Sequence, residues 1–334
     1  MRTVCALKSV EYGQPGIFRG HVSFSNPVLA PYSWPLCEVR GATPGPKLCV
    51  SAGVHVNEVA AIEAAVRLQK LFDPDHIRGT VSIIPLINQP ALYKYSEYVC
   101  PIDEKNINFS FPGSSRGTFS DCLCDAIMSE WCIDADCYID MHGGDLRERV
   151  SHFTIYQQTS DTSLNRLARQ MAMCFDAELV VGLPTSHLSK PGRPPTGFAA
   201  KQRLALMSEA GSNGLLSEDA IEFHVEGVLN VARSLNILDT KMTEFRRARV
   251  SCNDYLWVTT PADGEFHATV EPGARVEKNQ SVGTIRDFFG ETIAEIVAPQ
   301  AGWLLWRITQ PSVPSGSSVL AIAVEEDQPT MAGP

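Results

Sequence analysis

The 334-residue chain is poor in positive charge and lacks the features that mark several classes of protein. Its 28 lysines and arginines are outnumbered by 38 aspartates and glutamates, and the net charge of −10 argues against a broad surface for nucleic acid or anionic lipid. No apolar run reaches the roughly 18 residues of a membrane span. The N-terminal residues also lack the apolar core of a signal peptide. We therefore expect a cytoplasmic protein that binds no nucleic acid and no membrane.

The chain also lacks any Cys-x-x-Cys pair, although it has ten cysteines. Cys122 and Cys124 are only two residues apart, and several others, such as Cys49 and Cys137, fall in apolar runs. With no secretory signal, this usage predicts reduced, mostly buried thiols. A cysteine metal site is the less favoured interpretation.

Length and pattern together predict two domains. Strand-like and helical segments alternate through residues 1–248, as in an α/β domain. Residues 249–325 contain short β-rich runs separated by turns, which favours a small all-β domain. We expect residues 326–334 to form a disordered tail.

One stretch of the α/β part carries candidate chemistry. Residues 48–52 form a short apolar run closed by glycine, typical of a buried strand. An amphipathic helical pattern begins near Glu58, with Asn57 at the expected N-cap. His55 and Glu58 therefore lie in the turn after a strand, where open α/β sheets place their ligand sites. The pair supplies two of the three protein ligands of a His₂Glu zinc site, or it is simply a polar turn.

Two further strand-like runs end in comparable residues. Residues 137–141 lead into His142, which two glycines follow, and residues 204–208 lead into Glu209. Taken singly, each of these features is more often structural. Taken together, they suit metal-assisted hydrolysis, with three ligands, one general base and an open position on the metal.

Four motifs carry a resemblance to a known family. They are His-Val-Asn-Glu at 55–58, Asn-Ile-Asn-Phe-Ser-Phe-Pro-Gly at 106–113, Asp-Met-His at 140–142 and Glu-Ala-Gly at 209–211. In order and spacing, the chain resembles the succinylglutamate desuccinylase/aspartoacylase family, whose catalytic domain is similar to zinc carboxypeptidases.

The resemblance implies a zinc ion held by His55, Glu58 and His142, with Glu209 as the general base. It implies an α/β fold, with a zinc-carboxypeptidase-like mixed sheet flanked by helices and a C-terminal lipoyl-like barrel. The barrel's tip at 287–291 has no lysine to carry a prosthetic group, so we expect a structural or site-capping role. Asp140 is expected to point away from His142 and to form buried hydrogen bonds.

The chain departs from the family at the substrate-binding positions. An Asn-Arg pair is usual where this chain has Asn108 and Phe109, and the upstream family arginine is missing from 97–101. Arg116 and Arg147 are the nearest replacements in sequence. Phenylalanine offers no hydrogen-bond donor, so we predict a neutral or apolar group at this subsite, with N-acetylaspartate and N-succinylglutamate as poor substrates.

The sequence thus predicts a zinc-dependent amidohydrolase that removes the acyl group from a small N-acylated amine or amino acid. A metallocarboxypeptidase acting on a peptide end is one alternative. A binding protein that retains the metal without turnover is another. Self-association into a homo-oligomer stays open.

Overall fold

The fold is described by a computed structural model for residues 2–6, 14–94, 96–245 and 249–325, so the predicted tail at 326–334 lies outside the described residues. The strands are β1 (Arg2–Ala6), β2 (Gly16–Ser23), β3 (Trp34–Arg40), β4 (Thr43–Ala52), β5 (Arg78–Ile84), β6 (Cys137–His142), β7 (Glu148–Val150), β8 (Phe153–Gln157), β9 (Leu179–Leu183), β10 (Ala205–Glu209), β11 (Val250–Thr259), β12 (Gly264–Ala268), β13 (Arg275–Val276), β14 (Ser281–Arg286), β15 (Thr292–Val297), β16 (Gly302–Ile308), β17 (Ser312–Val313) and β18 (Ser318–Glu325). The α-helices are α1 (Val59–Leu68), α2 (Gln89–Lys94), α3 (Phe119–Ala126), α4 (Thr162–Ala172), α5 (Pro194–Ala199) and α6 (Glu218–Ser234).

A large mixed sheet organises the fold. Its order is β1-β2-β3-β5-β4-β6-β10-β8-β9-β11-β18-β16-β13, and β7 pairs with β16. The neighbours β5, β4, β6 and β10 are parallel, so their carboxyl ends meet at one edge. Strands β1 to β3 extend the sheet with antiparallel pairing.

Apolar side chains cover both faces of this sheet. One core joins the strands to α1, α4 and α6, and the alanine-rich face of α1 lets it pack closely against the sheet and α6. A second core on the other face includes residues of α3 and the buried side chain of Trp131. The mixed α/β sheet with flanking helices is therefore confirmed.

Helix α3 gives way to a π-helical turn at Ile127–Trp131. Pro194 at the first helical position starts the short helix α5. One local expectation from the sequence is wrong. Asn57 does not cap α1. The N-cap is Glu58, whose side chain makes no capping bond because it turns to the histidines described below.

The C-terminal strands form an extra antiparallel sheet and also extend the large one. Strand β11 lies parallel to β9 and antiparallel to β18, which continues the large sheet into this region. The second sheet has the order β15-β14-β12-β17 and shares one apolar core with β16 and β18. An added β-structure is thus present, whereas the lipoyl-like barrel and the domain boundary stay predictions.

The nine cysteines whose side chains are described are buried, and none of them forms a disulfide. Within the same described residues, no helix is long and apolar enough to cross a membrane.

Candidate metal centre

Three adjacent strand ends bring the candidate residues together. Strands β4, β6 and β10 are parallel neighbours, and the register places Glu209 directly beside His142. His55 and Glu58 lie in the turn that connects β4 to α1. Residues that are far apart in the chain therefore meet at one edge of the sheet, as ligand sites in open α/β sheets do.

His55, Glu58 and His142 form a compact buried cluster. The Nδ1 atom of His55 lies 2.7 Å from Oε1 of Glu58, and Nδ1 of His142 lies 2.9 Å from Oε2 of the same carboxylate. One potential ligand atom from each residue fits within 4.8 Å of the other two. The three side chains are only 7%, 4% and 1% exposed, respectively, so they are shielded from bulk water.

The second ring nitrogen of each imidazole faces a hydrogen-bond acceptor. Nε2 of His55 lies 3.0 Å from Oδ1 of Asn106, and Nε2 of His142 lies 2.9 Å from Oδ2 of Asp140. These acceptors favour a proton on Nε2 and leave Nδ1 free to bind a metal, the usual outer-shell arrangement for a metal-ligating histidine. The buried hydrogen-bonding role of Asp140 is confirmed. Its expected direction is wrong, because side chains two apart on a strand share a face.

The donor set fits a divalent metal ion. Among the described residues, Oε2 of Glu58 and Nδ1 of His142 are buried without a hydrogen bond, although they face each other. A cation between them would satisfy both atoms. Two imidazoles and one carboxylate are the protein ligands of His₂Glu catalytic zinc sites.

The electrostatics of the cluster also favour a bound cation. Burial alone would lower the pKa of His55 and His142, but the Glu58 carboxylate beside both and Asp140 beside His142 raise their pKa values. Burial opposes ionisation of Glu58, yet the two histidines lower its pKa. Without a metal ion, protons on the imidazoles balance the negative charge of the carboxylate. A bound metal cation can supply that positive charge in place of the protons.

Glu209 lines the cavity in front of this cluster. Burial raises the pKa of its carboxyl to about 8, with Glu58 and Glu148 adding to the rise and His142 and Arg193 opposing it. A carboxyl with a pKa near neutrality can exchange a proton in either direction, as a general acid–base group must.

The cavity has a volume of about 140 Å³, and its wall comes from both halves of the chain. Asn108 and Phe109 line it, as do Tyr255 and Trp306 from the C-terminal strands. This volume is below the roughly 300–1,000 Å³ of pockets for drug-sized ligands, so the cavity suits a small molecule.

Arg193 is the basic cavity residue that sequence reasoning missed. It is the N-cap of α5, and its guanidinium carbon lies 4.7 Å from the ring centroid of Phe109 and 5.2 Å from that of Tyr255. The sequence signal that could have identified it is an arginine directly before two prolines. That pattern favours the start of a helix, which fixes the backbone position of the arginine. Its partner Tyr255 is 62 residues further along the chain, so no local pattern links them.

The two arginines chosen from sequence lie elsewhere. Arg147 lines an outer cavity beside the first one, where it pairs with Glu97 at 2.8 Å and lies over the ring of Tyr98. Arg116 is exposed in the loop before α3, and neither cavity includes it. Their substrate-binding roles stay predictions.

Comparison with known proteins agrees with the family resemblance of the sequence. Residues 44–235 match the model of the succinylglutamate desuccinylase/aspartoacylase catalytic domain. An N-alpha-acetyl-L-2,4-diaminobutyric acid deacetylase of Halomonas elongata is 23% identical over 288 residues, which cover 84% of this chain and 82% of that protein.

Solved structures share the fold at low identity. The product-bound ectoine utilization protein EutE (DoeB) of Ruegeria pomeroyi superposes with a TM-score of 0.83 at 22% identity, covering 97% of this chain and all of that one. A succinylglutamate desuccinylase of Silicibacter sp. TM1040 superposes with a TM-score of 0.80 at 21% identity, covering 98% of this chain and all of that one.

Proposed function

This chain belongs to the succinylglutamate desuccinylase/aspartoacylase family, and from that premise we propose that it is a zinc-dependent deacylase. Its reaction is the hydrolysis of the amide bond of a small N-acylated amine or amino acid. The observation that carries the proposal is the buried cluster of His55, Glu58 and His142, which opens onto the same cavity as Glu209. The deacetylase of Halomonas elongata supports a substrate of this size and type.

The three metal ligands and Glu209 have different tasks in this proposal. His55, Glu58 and His142 hold the zinc ion, which supplies a Lewis acid for the amide carbonyl and lowers the pKa of water. Glu209 accepts a proton from the attacking water and passes it to the leaving nitrogen.

Arg193 and the residues around it orient the substrate. Its guanidinium can hold a carboxylate through two parallel hydrogen bonds, which a lysine cannot match. Phe109 contacts the face of that guanidinium and supplies an apolar wall, while Asn108 supplies a buried amide. We therefore place the substrate's own carboxylate at Arg193 and a neutral group beside Phe109.

We further propose that the C-terminal strands form the lipoyl-like barrel of the family and cap the site. Tyr255, Trp257, Leu305 and Trp306 all line the cavity, which supports the capping role. Cytoplasmic localisation and self-association are also parts of the proposal.

Metal content and turnover of matched substrates test the proposal. We expect about one zinc per chain, and faster hydrolysis of N-acetyl amino acids than of dipeptides with a free carboxyl end. Glu209→Gln should keep the zinc and lose kcat by a factor on the order of 10² or more. Glu222→Gln, which changes an exposed glutamate on α6, serves as the matched control.

The alternatives predict other results. Faster hydrolysis of the dipeptides would identify a metallocarboxypeptidase. Full zinc content with no turnover of either substrate class would identify a binding protein. Near-normal kcat in zinc-loaded Glu209→Gln would remove Glu209 from the role of base.

A further inference from the structure

A larger cavity lies beside the one in front of the metal centre, which is called the inner cavity from here on. The outer cavity has a volume of about 590 Å³, within the range of pockets for drug-sized ligands, whereas the inner cavity has about 140 Å³. They share five wall residues, which are Tyr98, Phe109, Glu148, Trp257 and Trp306. A molecule held at the metal centre can therefore extend outward along these shared side chains.

A row of aromatic rings in contact leads from the inner cavity to the outer one. The ring centroid of Tyr255, which lines the inner cavity, lies 5.7 Å from that of Trp257. The ring of Trp257 meets that of Trp306 edge to face at 5.2 Å, and both indoles line both cavities. Tyr98, which also lines both, has its ring centroid 6.0 Å from that of the proposed metal ligand His55. Aromatic surface thus continues from the metal centre into the outer cavity.

Strand register explains why the two indoles meet. Trp257 on β11 and Trp306 on β16 are both paired with Ala321 on β18, the strand between them. Side chains paired across strands share one face of the sheet. Because alanine has only a methyl group at this position, the two larger rings can approach each other above it. The pairing of three strands therefore builds an apolar wall from two indoles.

The charged side chains of the outer cavity have partners within the chain. Arg147 pairs with Glu97 at 2.8 Å and lies over the ring of Tyr98. Glu148 accepts a hydrogen bond from the backbone amide of Asp145 at 3.3 Å. Seven of the twelve wall residues are aromatic or aliphatic, so the surface that this cavity offers a ligand is mainly apolar.

Two of the shared aromatic side chains are well exposed. Phe109 and Trp257 are each 45% exposed, and they line the same cavity. Single exposed apolar residues are common on protein surfaces, whereas apolar residues grouped in a cavity mark a ligand site. An apolar group bound between them would remove this surface from water, which favours binding.

We propose that the outer cavity binds an apolar group of the substrate, about the size of a phenyl ring, that extends from the scissile amide along Trp257 and Trp306. This inference rests on the proposed deacylase function and specifies the substrate class as N-acylated amino acids with such a group. The carboxylate and the amide stay in the inner cavity with Arg193 and the metal centre. The apolar group belongs either to the acyl part or to the amino-acid side chain, and the experiment separates these two sources. Trp257 is then a specificity-determining residue.

Two pairs of substrates test the proposal, each with a methyl member and a phenyl member. N-acetylglycine and N-(phenylacetyl)glycine differ in the acyl part, whereas N-acetylalanine and N-acetylphenylalanine differ in the side chain. In at least one pair, we expect kcat/KM of the zinc-loaded protein to be about 10- to 100-fold higher for the phenyl member, the range for burial of an aromatic side chain. The pair that shows the gain identifies the end of the substrate that occupies the outer cavity. Equal kcat/KM within both pairs would overturn the proposal.

Substitution of Trp257 separates specificity from damage to the fold. Trp257→Ala should bring the ratio of kcat/KM between phenyl and methyl members toward one, whereas Trp257→Phe keeps an aromatic ring and should keep most of the preference. The control Phe289→Ala removes a ring that is 94% exposed and lines neither cavity, so the wild-type ratio should persist. General damage lowers kcat/KM of both members alike. A wild-type ratio in Trp257→Ala would contradict the proposal.

Filling the outer cavity is a second test that leaves Trp257 in place. Ser317 lines the outer cavity but not the inner one. In Ser317→Trp, the added indole should compete with the phenyl group, so the phenyl member should lose more kcat/KM than the methyl member. Ser160→Trp adds the same ring at an exposed serine that lines neither cavity, and it should keep the wild-type ratio. An unchanged ratio in Ser317→Trp would show that the phenyl group binds elsewhere, and the proposal would be wrong.

Binding measured without turnover distinguishes this inference from the proposed function. Titration calorimetry on zinc-loaded Glu209→Gln compares the phenyl and methyl members of each pair, and repeats the comparison after adding Trp257→Ala. If the wild-type protein hydrolyses no member but a phenyl member binds more tightly through Trp257, the deacylase proposal fails and the apolar subsite stands. If the methyl members are hydrolysed and the phenyl members neither bind more tightly nor react faster, the apolar subsite fails and the deacylase proposal stands.

Discussion

At the scale of single residues, the candidate site depends on the hydrogen-bond partners of its two histidines. Asp140 is fully buried and accepts from both Nε2 of His142 and the hydroxyl of Ser51. This bond fixes the imidazole so that its Nδ1 atom faces Glu58. The ring orientation would otherwise be free to change, because His142 is the last residue of its strand.

Replacing Asp140 with asparagine should therefore weaken metal binding without removing it. The introduced amide would keep the size of the side chain but lose the negative charge that orients the imidazole. We expect zinc affinity to fall by about 10- to 100-fold, as for other outer-shell partners. Competition with a chromophoric chelator measures this change.

Two further variants serve as controls, one that should lose zinc and one that should keep it. His142→Ala should lose most of the zinc, whereas His76→Ala, on an exposed histidine, should keep it. Unchanged affinity in Asp140→Asn would show that the hydrogen bond to His142 does not tune the metal site.

At the scale of elements, the site requires the ends of β6 and β10 to lie very close together. Backbone bonds continue past the strands, from the amide of Ala210 to the carbonyl of His142 and from Gly144 to the carbonyl of Gly211. Between them, Gly143 faces the carbonyl oxygen of Ala210 so closely that a Cβ atom would overlap it. Glycine is needed here for space between backbones.

Gly143→Ala should therefore push the two strand ends apart. We expect a loss of about 1–3 kcal/mol of stability, typical of overpacking, together with reduced zinc content. Denaturant unfolding and elemental analysis measure the two effects.

Gly290→Ala is the comparison variant at this scale. Its added Cβ would meet no atom within 4 Å, although its φ of 92° strains an alanine. Some stability should be lost there, but no zinc. Full zinc content in Gly143→Ala would contradict the requirement for closely spaced strand ends.

At the scale of the whole molecule, the C-terminal strands complete both the sheet and the cavity. Strand β11 pairs with β9, and one apolar core contains residues of β8, β9, β11, β16 and β18. Cutting the chain before β11 would expose the edge of β9 and remove Tyr255 and the two tryptophans of the cavity wall.

We therefore expect the full chain to unfold in one cooperative transition, with equal calorimetric and van't Hoff enthalpies. A chain that ends at residue 248 should aggregate or lack deacylase activity, whereas one that ends at residue 325 should behave like the full chain. A soluble, active chain of residues 1–248 would instead support two independent domains at the boundary predicted from sequence.

The sequence by itself determined the family and the proposed chemistry. His55 and Glu58 are three residues apart, so their closeness follows from local geometry alone. His142 and Glu209 each end an apolar strand, and parallel strands in an α/β sheet bring such ends to one edge. Local patterns and one topological rule were enough to predict that these four residues lie close together.

Only the tertiary structure decided what surrounds that chemistry. Arg193, Tyr255, Trp306 and Glu148 come from a short helix and from strands whose pairing joins distant parts of the chain. The choice of Arg116 and Arg147 rested on distance along the sequence, which is a poor guide where long-range strand pairing forms the wall. The cavity wall is a product of that pairing, because the residues that line the cavity meet only after the sheet is complete.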